Sequence, residues 1–261
     1  MGTVNILAVG DVCANIGCLT LQKMLPAIIE RYNVDFTIVN GENALDGEGL
    51  DEPLAKMFFE AGADVITGGN HTLKDFSFRQ KFLPYENVLR PANIPCVAGT
   101  GFVKLKKNGV TFSVLNMLGR ENMRFVDSPF DCVDSFLPEM SNTISVIDFH
   151  AEMPEEKETL GLYVDGKASF VFGTHTHVQT CDEKILPNGT AYLTDVGFVG
   201  LKDSVIGSLP TFSIEKQKNS HSKLQRWVNH GEVVFSACLV KVDVSSRKTL
   251  EIMRIKEVST I

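Results

Sequence analysis

Phe170-Val171-Phe172-Gly173-Thr174-His175-Thr176-His177 joins a short apolar run to a glycine and then to two histidines with one residue between them. The run is bounded, β-branched and aromatic, which predicts a buried strand with the histidines just past its C-terminal end. In extended backbone, residues two apart point to the same side, roughly 6–7 Å apart. That separation is wide for one ion. It suits two ions about 3.5–4 Å apart, each taking one imidazole. A His-x-His by itself is more often a pair of surface histidines, so the reading rests on what the other strand ends carry.

Working outward, Val4 to Val9, Phe36 to Val39 and Val65 to Thr67 read as strands. Leu21, Met24, Leu25, Ile28 and Ile29 lie at helical spacing between the first two. Pro26 inside that helix predicts a kink or a late start. Asp51 reads as the N-cap of a helix reaching about Ala61, and a further helix is expected from about Lys74 to Phe82. The first seventy residues are therefore β-α-β-α-β, the pattern of a parallel sheet. Val88 to Ala92, Gly101 to Leu105 and Thr111 to Leu115 are strand candidates, the last two joined by the hairpin signal Asn108-Gly109. Ile144 to Phe149 is a strand with His150 directly after it, and Pro154 to Leu160 is helical. Ala191 to Leu193 is a strand ending in Thr194-Asp195. Leu201 to Ser222 reads as a polar surface loop with some helix, and Val233 to Val244 with Leu250 to Ile255 as a closing hairpin. No repeat or linker divides the chain, so one domain over residues 1–261 is expected.

Composition narrows the function classes. The chain has 261 residues, 44% hydrophobic and 22% charged, as in ordinary globular proteins. A net charge of −7 without a basic block argues against duplex nucleic acid as a partner. A small anionic substrate is still allowed where the local field is positive. Six scattered cysteines without a C-x-x-C pair fit a reducing compartment. With neither a signal peptide nor a membrane span of about 18 apolar residues, a cytoplasmic protein without a membrane partner is expected. Homo-oligomerisation is left open.

Asp11, Glu42, Asn43, Asn70, His71, His150, His175 and His177 all fall just past the C-terminal ends of predicted strands. In open α/β sheets, sites are built at that edge. Each has an ordinary reading alone: Asp11 as a helix cap, Asn43 and Asn70-His71 as turn residues, His150 as a satisfied strand-end histidine. Together they make a set of oxygen and nitrogen donors at one edge. His221 and His230 read as surface residues. Mixed imidazole, carboxylate and amide donors without thiolate suit Fe, Mn or Zn. Cys13 and Cys181, near Asp11 and His177, read as packed side chains. Asp148, Glu152, Asp165 and Asp195 are candidates to orient the ligands.

Gly10-Asp11, Gly69-Asn70-His71, the isolated His150 and Gly173 to His177 resemble the motif series of calcineurin-like metallophosphoesterases. Asp11-Val12-Cys13 and Gly41-Glu42-Asn43 depart from the general superfamily pattern, Asp-x-His and Gly-Asp-x-x-Asp, and resemble its YmdB-like branch of bacterial phosphodiesterases. Asn40 to Ala44, Leu89 to Asn93, Ile147 to Glu152, Gly173 to Thr180 and Thr190 to Gly197 carry that similarity, which spans nearly the whole chain.

The resemblance implies an α/β sandwich of two sheets with outer helices. It implies one metal held by Asp11, Glu42, Asn43 and His177 and another by Glu42, Asn70, His150 and His175, with iron or manganese favoured. It also implies His71 as proton donor and hydrolysis of cyclic nucleotides, the 2′,3′-cyclic forms foremost. The same motifs could serve a phosphomonoesterase such as a nucleotidase or protein phosphatase. A regulatory protein with structural metals is the third reading.

Overall fold

The computed structural model describes residues 2–72, 85–95, 99–123 and 125–261, and the helix expected from about Lys74 to Phe82 lies outside them. Strands β1 (Thr3–Val9), β3 (Phe36–Asn40) and β4 (Val65–Thr67) pair in parallel, with α1 (Ala14–Tyr32) and α2 (Glu52–Ala61) as crossovers. Between β1 and α1, the two-residue β2 (Asp11–Val12) turns away to pair with a later strand. Asp51 caps α2 by accepting from the Leu54 amide at 3.0 Å. α1 starts at Ala14 and continues through Pro26, so the late start does not occur. Its buried face of Leu21, Leu25 and Ile28 holds it on the sheet and outweighs the one hydrogen bond that proline removes.

The second half builds another sheet. β5 (Phe102–Lys107) and β6 (Val110–Leu118) form the hairpin, with Asn108 and Gly109 both at positive φ, as a type I′ turn requires. β7 (Ile144–His150), β8 (Phe170–Thr174) and β10 (Ala191–Leu193) follow in parallel with β6, and the short β9 (Lys184–Ile185) closes the edge. Val88 to Ala92 is no strand, because only Val88 bridges to Ile66. Helix α3 (Pro129–Met140) was not foreseen. Its start is the Ser128 cap followed by Pro129, and Pro138 near its end obscures the pattern.

α4 (Pro154–Tyr163) covers the second sheet. β11 (Phe198–Leu201) ends where the stretch Leu201 to Ser222 begins, α5 (Pro210–Asn219) is the helix expected within that stretch, and β12 (Glu232–Asp243) and β13 (Thr249–Thr260) form the closing hairpin. One edge of β12 is shared end to end by β11 and β1, and the other pairs with β13.

Among the described residues, a seven-stranded and a six-stranded sheet stack as the inner layers of a sandwich with helices outside. Ile6, Ala8, Phe36 and Ile38 of the first sheet meet Phe112, Val146, Phe170 and Phe172 of the second. The alternate residues Leu7, Val9 and Val39 face α1 and α2. Ile147, Phe149 and Val171 likewise face α3 and α4. Both faces of the central strands are thus buried, which is why they read as near-continuous apolar runs. Phe36 and Phe112 stack across the sandwich with centroids 4.2 Å apart. Among the described residues, no helix is long and apolar enough to cross a membrane.

Gly173 sits where the second sheet meets the loop beyond it. A β-carbon there would fall 1.9 Å from the carbonyl oxygen of Thr194. Backbone on the far side cannot yield cheaply. Gly173→Ala is expected to destabilise the fold by about 3 kcal/mol, the upper part of the overpacking range. A urea midpoint at the wild-type value would contradict this.

Candidate metal centre

The sheet topology brings all eight candidate residues to one end of the sandwich. Asp11 leaves β1, Glu42 and Asn43 follow β3, Asn70 and His71 follow β4, His150 ends β7, and His175 and His177 follow β8. Asp11, Glu42, Asn43 and His150 are buried. The residue at 69 must be glycine, since a β-carbon would lie 2.2 Å from Glu42 Oε2 and 2.4 Å from His150 Nε2.

The hydrogen bonds behind the histidines decide which nitrogen faces inward. Thr174 Oγ1 donates to Asp148 Oδ1 at 2.7 Å and therefore accepts from His150 Nδ1 at 2.9 Å. That leaves the His150 Nε2 lone pair pointing at Asn70 Oδ1 (2.9 Å), Glu42 Oε1 (3.1 Å) and His175 Nδ1 (3.0 Å). His175 Nε2–H donates to Glu152 Oε2 at 2.8 Å, so its Nδ1 is a lone pair as well. Four acceptors therefore converge. Only a cation or a shared proton between them makes that favourable. Burial disfavours charge on His150, but the Glu42 carboxylate beside it outweighs burial and pushes it up to about 9. Burial and the neighbouring His150 charge push His175 down to about 4.

A second cluster lies alongside. His177 Nδ1–H donates to the Ile206 carbonyl at 2.9 Å, leaving Nε2 facing Asn43 Oδ1 at 3.1 Å and Asp11 Oδ1 at 3.9 Å. Asp11 Oδ2 accepts from the His175 amide at 3.2 Å, but Asp11 Oδ1 is buried without a hydrogen-bond partner. Burial pushes Asp11 up to about 6, with His177 and His150 pulling against it. An unpartnered carboxylate oxygen, an imidazole lone pair and an amide oxygen are the oxygen and nitrogen donors that bind a first-row metal ion. Each imidazole also gives its other nitrogen to an acceptor behind it, as metal-ligating histidines do. The donor chemistry fits two cations.

The extended His-x-His geometry expected from the sequence is not what the chain adopts. His175 and His177 have φ of 100° and 62°. The loop leaves the sheet because carboxylates replace ladder partners: Asp11 takes the His175 amide and Asp195 Oδ2 takes the Thr176 amide at 3.2 Å. The two rings still face different clusters, by backbone reversal and not by strand alternation. Asp195 is held by Lys157 of α4 at 2.7 Å, an ion pair with both side chains 1% exposed. Lys157 was missed, because a lysine within Pro-Glu-Glu-Lys-Glu-Thr reads as solvated. Asp148, Glu152 and Asp195 back the site, whereas Asp165 bonds the Asn188 and Thr190 backbone and touches none of it. Cys13 is buried, with its thiol pushed up to about 12 by that burial, and Cys181 is exposed. Neither joins the converging Glu42, His150 and His175. His221 and His230 are exposed.

A sequence model of the YmdB-like protein family matches residues 7–255. The chain belongs to that family. This YmdB-like protein is 39% identical over 253 residues to the 2′,3′-cyclic-nucleotide 2′-phosphodiesterase of Bacillus subtilis strain 168, covering 96% of each chain. Its fold matches a protein of Thermus thermophilus with a TM-score of 0.89 at 35% identity, covering 98% of this chain and 99% of that one. It matches a novel phosphatase of Mycoplasma pneumoniae with a TM-score of 0.90 at 29% identity, covering 99% and 94%.

Thr174 fixes the His150 tautomer, so its hydroxyl should matter to metal affinity without touching a metal. Thr174→Val, nearly isosteric, is expected to weaken manganese binding about 10–100-fold, the range for groups that orient ligands. Calorimetric titration with Mn²⁺ reads this directly, and wild-type affinity in the variant would show that the tautomer is fixed by something else.

Proposed function

We propose that this protein is a phosphodiesterase using two metal ions and acting on small phosphodiesters, 2′,3′-cyclic nucleotides foremost. The observation that carries it is the convergence of Glu42, Asn70, His150 and His175 beside the unpartnered Asp11 Oδ1. The Bacillus subtilis relative supplies the substrate class. Asp11, Asn43 and His177 would hold one ion and Asn70, His150 and His175 the other, with Glu42 as the carboxylate common to both. Iron or manganese suits this donor set better than a thiolate-seeking metal. The free thiols and the single sandwich accord with one cytoplasmic domain.

Bound metal ions would supply Lewis acidity at the phosphoryl oxygens and a lowered pKa for the attacking water. The chain's own groups do the rest. His71 lines the cavity over the two clusters. Asn43 Nδ2 donates to the Gly47 carbonyl at 3.0 Å and lies 2.9 Å from His71 Nδ1. Glu42 Oε1 lies 3.4 Å from the same Nδ1, so in the imidazolium form that a proton donor requires His71 turns its Nδ1–H toward that carboxylate and keeps the Nε2 proton for the substrate. The His71 backbone amide donates to Glu42 Oε2 at 3.0 Å, which ties the imidazole to the shared carboxylate. His71 is thus oriented to deliver a proton to a leaving oxygen.

A ribose hydroxyl leaves badly as an alkoxide, while a nitrophenolate needs no help. His71→Ala should therefore cost about 10²–10⁴-fold on a cyclic nucleotide and far less on a nitrophenyl phosphodiester, with metal content intact. Equal losses on both esters, or lost metal, would take His71 out of catalysis. Glu42→Gln should lose affinity for both ions, since a neutral amide cannot offset two cations. Elemental analysis finding two ions still bound would end its role as the shared ligand. Assaying metal-replete protein on matched mono- and diesters tests the activity itself, and a preference for monoesters would make it a phosphomonoesterase.

A further inference from the structure

The cavity above the clusters, about 620 Å³, has a second side that metal chemistry does not use. It comes from segment 205–227, most of which lies in the stretch Leu201 to Ser222 read from the sequence as polar surface loop with some helix. The Arg226 guanidinium carbon lies 4.3 Å from the Trp227 ring centroid and 5.5 Å from that of Phe212. Arg226 Nε donates to Ser208 Oγ at 3.2 Å. Val205, Ile206 and Ile214 line the same cavity and are exposed. Exposed apolar side chains grouped in a concavity mark a binding surface.

This wall is built onto the donor clusters. The Ile206 carbonyl takes the His177 Nδ1 proton, and Ile206 holds φ 46°, which a β-branched residue rarely adopts. Strain of that kind persists where the surroundings over-determine the backbone. On the other flank, the Gly47 carbonyl accepts from Asn43 Nδ2, and a β-carbon at Gly47 would fall 2.2 Å from Trp227 Cζ2. The aromatic wall and the donors are therefore held at a fixed separation across one cavity.

We propose that the Phe212–Arg226–Trp227 wall is the nucleobase subsite: the base stacks on it while the phosphate end lies among the donors opposite. This rests on the phosphodiesterase reading, which supplies the phosphate end. The volume is in the range of about 300–1,000 Å³ for small-ligand pockets and is far larger than a phosphate group needs. Every base has a π-face, so stacking accepts purines and pyrimidines alike and is worth about 1–3 kcal/mol per base, or roughly 5–150-fold in affinity.

Trp227 is the chain's single tryptophan, so its fluorescence reports the wall directly. Manganese-loaded protein titrated with adenosine 3′-monophosphate should change that fluorescence and bind about 10–100-fold more tightly than ribose 3-phosphate, with the latter measured by competition. Phe212→Ala, at a partly exposed position on α5, should shrink this ratio about tenfold, and Phe212→Tyr should restore it. Equal affinities for the two ligands in the wild type, or equal weakening of both in Phe212→Ala, would overturn the subsite. The titration needs no turnover. A protein that hydrolyses no phosphodiester but shows the affinity ratio keeps the subsite and rejects the phosphodiesterase reading. One that hydrolyses cyclic nucleotides without the ratio does the reverse.

Discussion

The carboxylate of Asp148 is the constraint on which the active end of this molecule depends. It is fully buried on β7 and accepts hydrogen bonds from Asn40 and Thr67 of the first sheet and from Thr174 of its own. Burial pushes its carboxyl up, and those hydrogen bonds pull it back. One side chain thus ties the two sheets together directly beneath the donor clusters. Breaking such a network leaves several buried polar groups unsatisfied at once. Through Thr174 it also sets which nitrogen of His150 faces Glu42. Sheet-to-sheet register and the His150 tautomer are consequently one decision.

Above that floor, the structure holds like groups against one another. His150, His175, Asn70 and Glu42 present lone pairs to a common point, and Asp11 keeps a carboxylate oxygen without a partner. Nothing in the folding of the chain alone favours such an arrangement, so the scaffold must impose it. The Lys157–Asp195 pair shows how. Two charges taken out of water stabilise little on balance, but removing either one leaves an uncompensated buried charge, at a cost of about 3–5 kcal/mol. Asp195 is thereby obliged to stay, and with it the Thr176 and Gly197 amides that it accepts from. The histidine loop is fixed by a pair that touches neither imidazole.

How much of this could be read from the sequence follows from range. The parallel core was legible because β1, β3, β7 and β8 are short apolar runs, each ending in a polar signature. That the eight candidate residues share one edge was legible because topology alone sends strand ends there. Orientation was not. Whether His175 continues a strand or turns to φ 100° is decided by Asp11, 164 residues away in the chain, and by Asp195. Lys157 gave no signal, since a buried lysine is announced only by the acid it meets. Segment 205–227 shows the same limit: its polar composition is real, with Lys216 and Lys218 exposed on α5 and lining the cavity, and nothing local announces that Val205, Ile206, Phe212, Ile214 and Trp227 line it beside them.

That last point bears on how selectivity arises. On the phosphodiesterase reading, donor clusters of this kind would meet only the phosphoryl group, which every phosphate ester shares. Nothing about Glu42, His150 or His177 can distinguish a nucleotide from a sugar phosphate, or one leaving alcohol from another. Discrimination must come from surfaces that contact the remainder of the substrate, and the described residues around the cavity offer one such surface of apolar and aromatic character. It is joined to the clusters through His177–Ile206 and Asn43–Gly47. A shift in that wall would therefore move the His177 imidazole and the Asn43 amide along with it. Substrate fit and the geometry of the donors are mechanically coupled here, so altering the wall to accept a different ester should disturb the second cluster before the first.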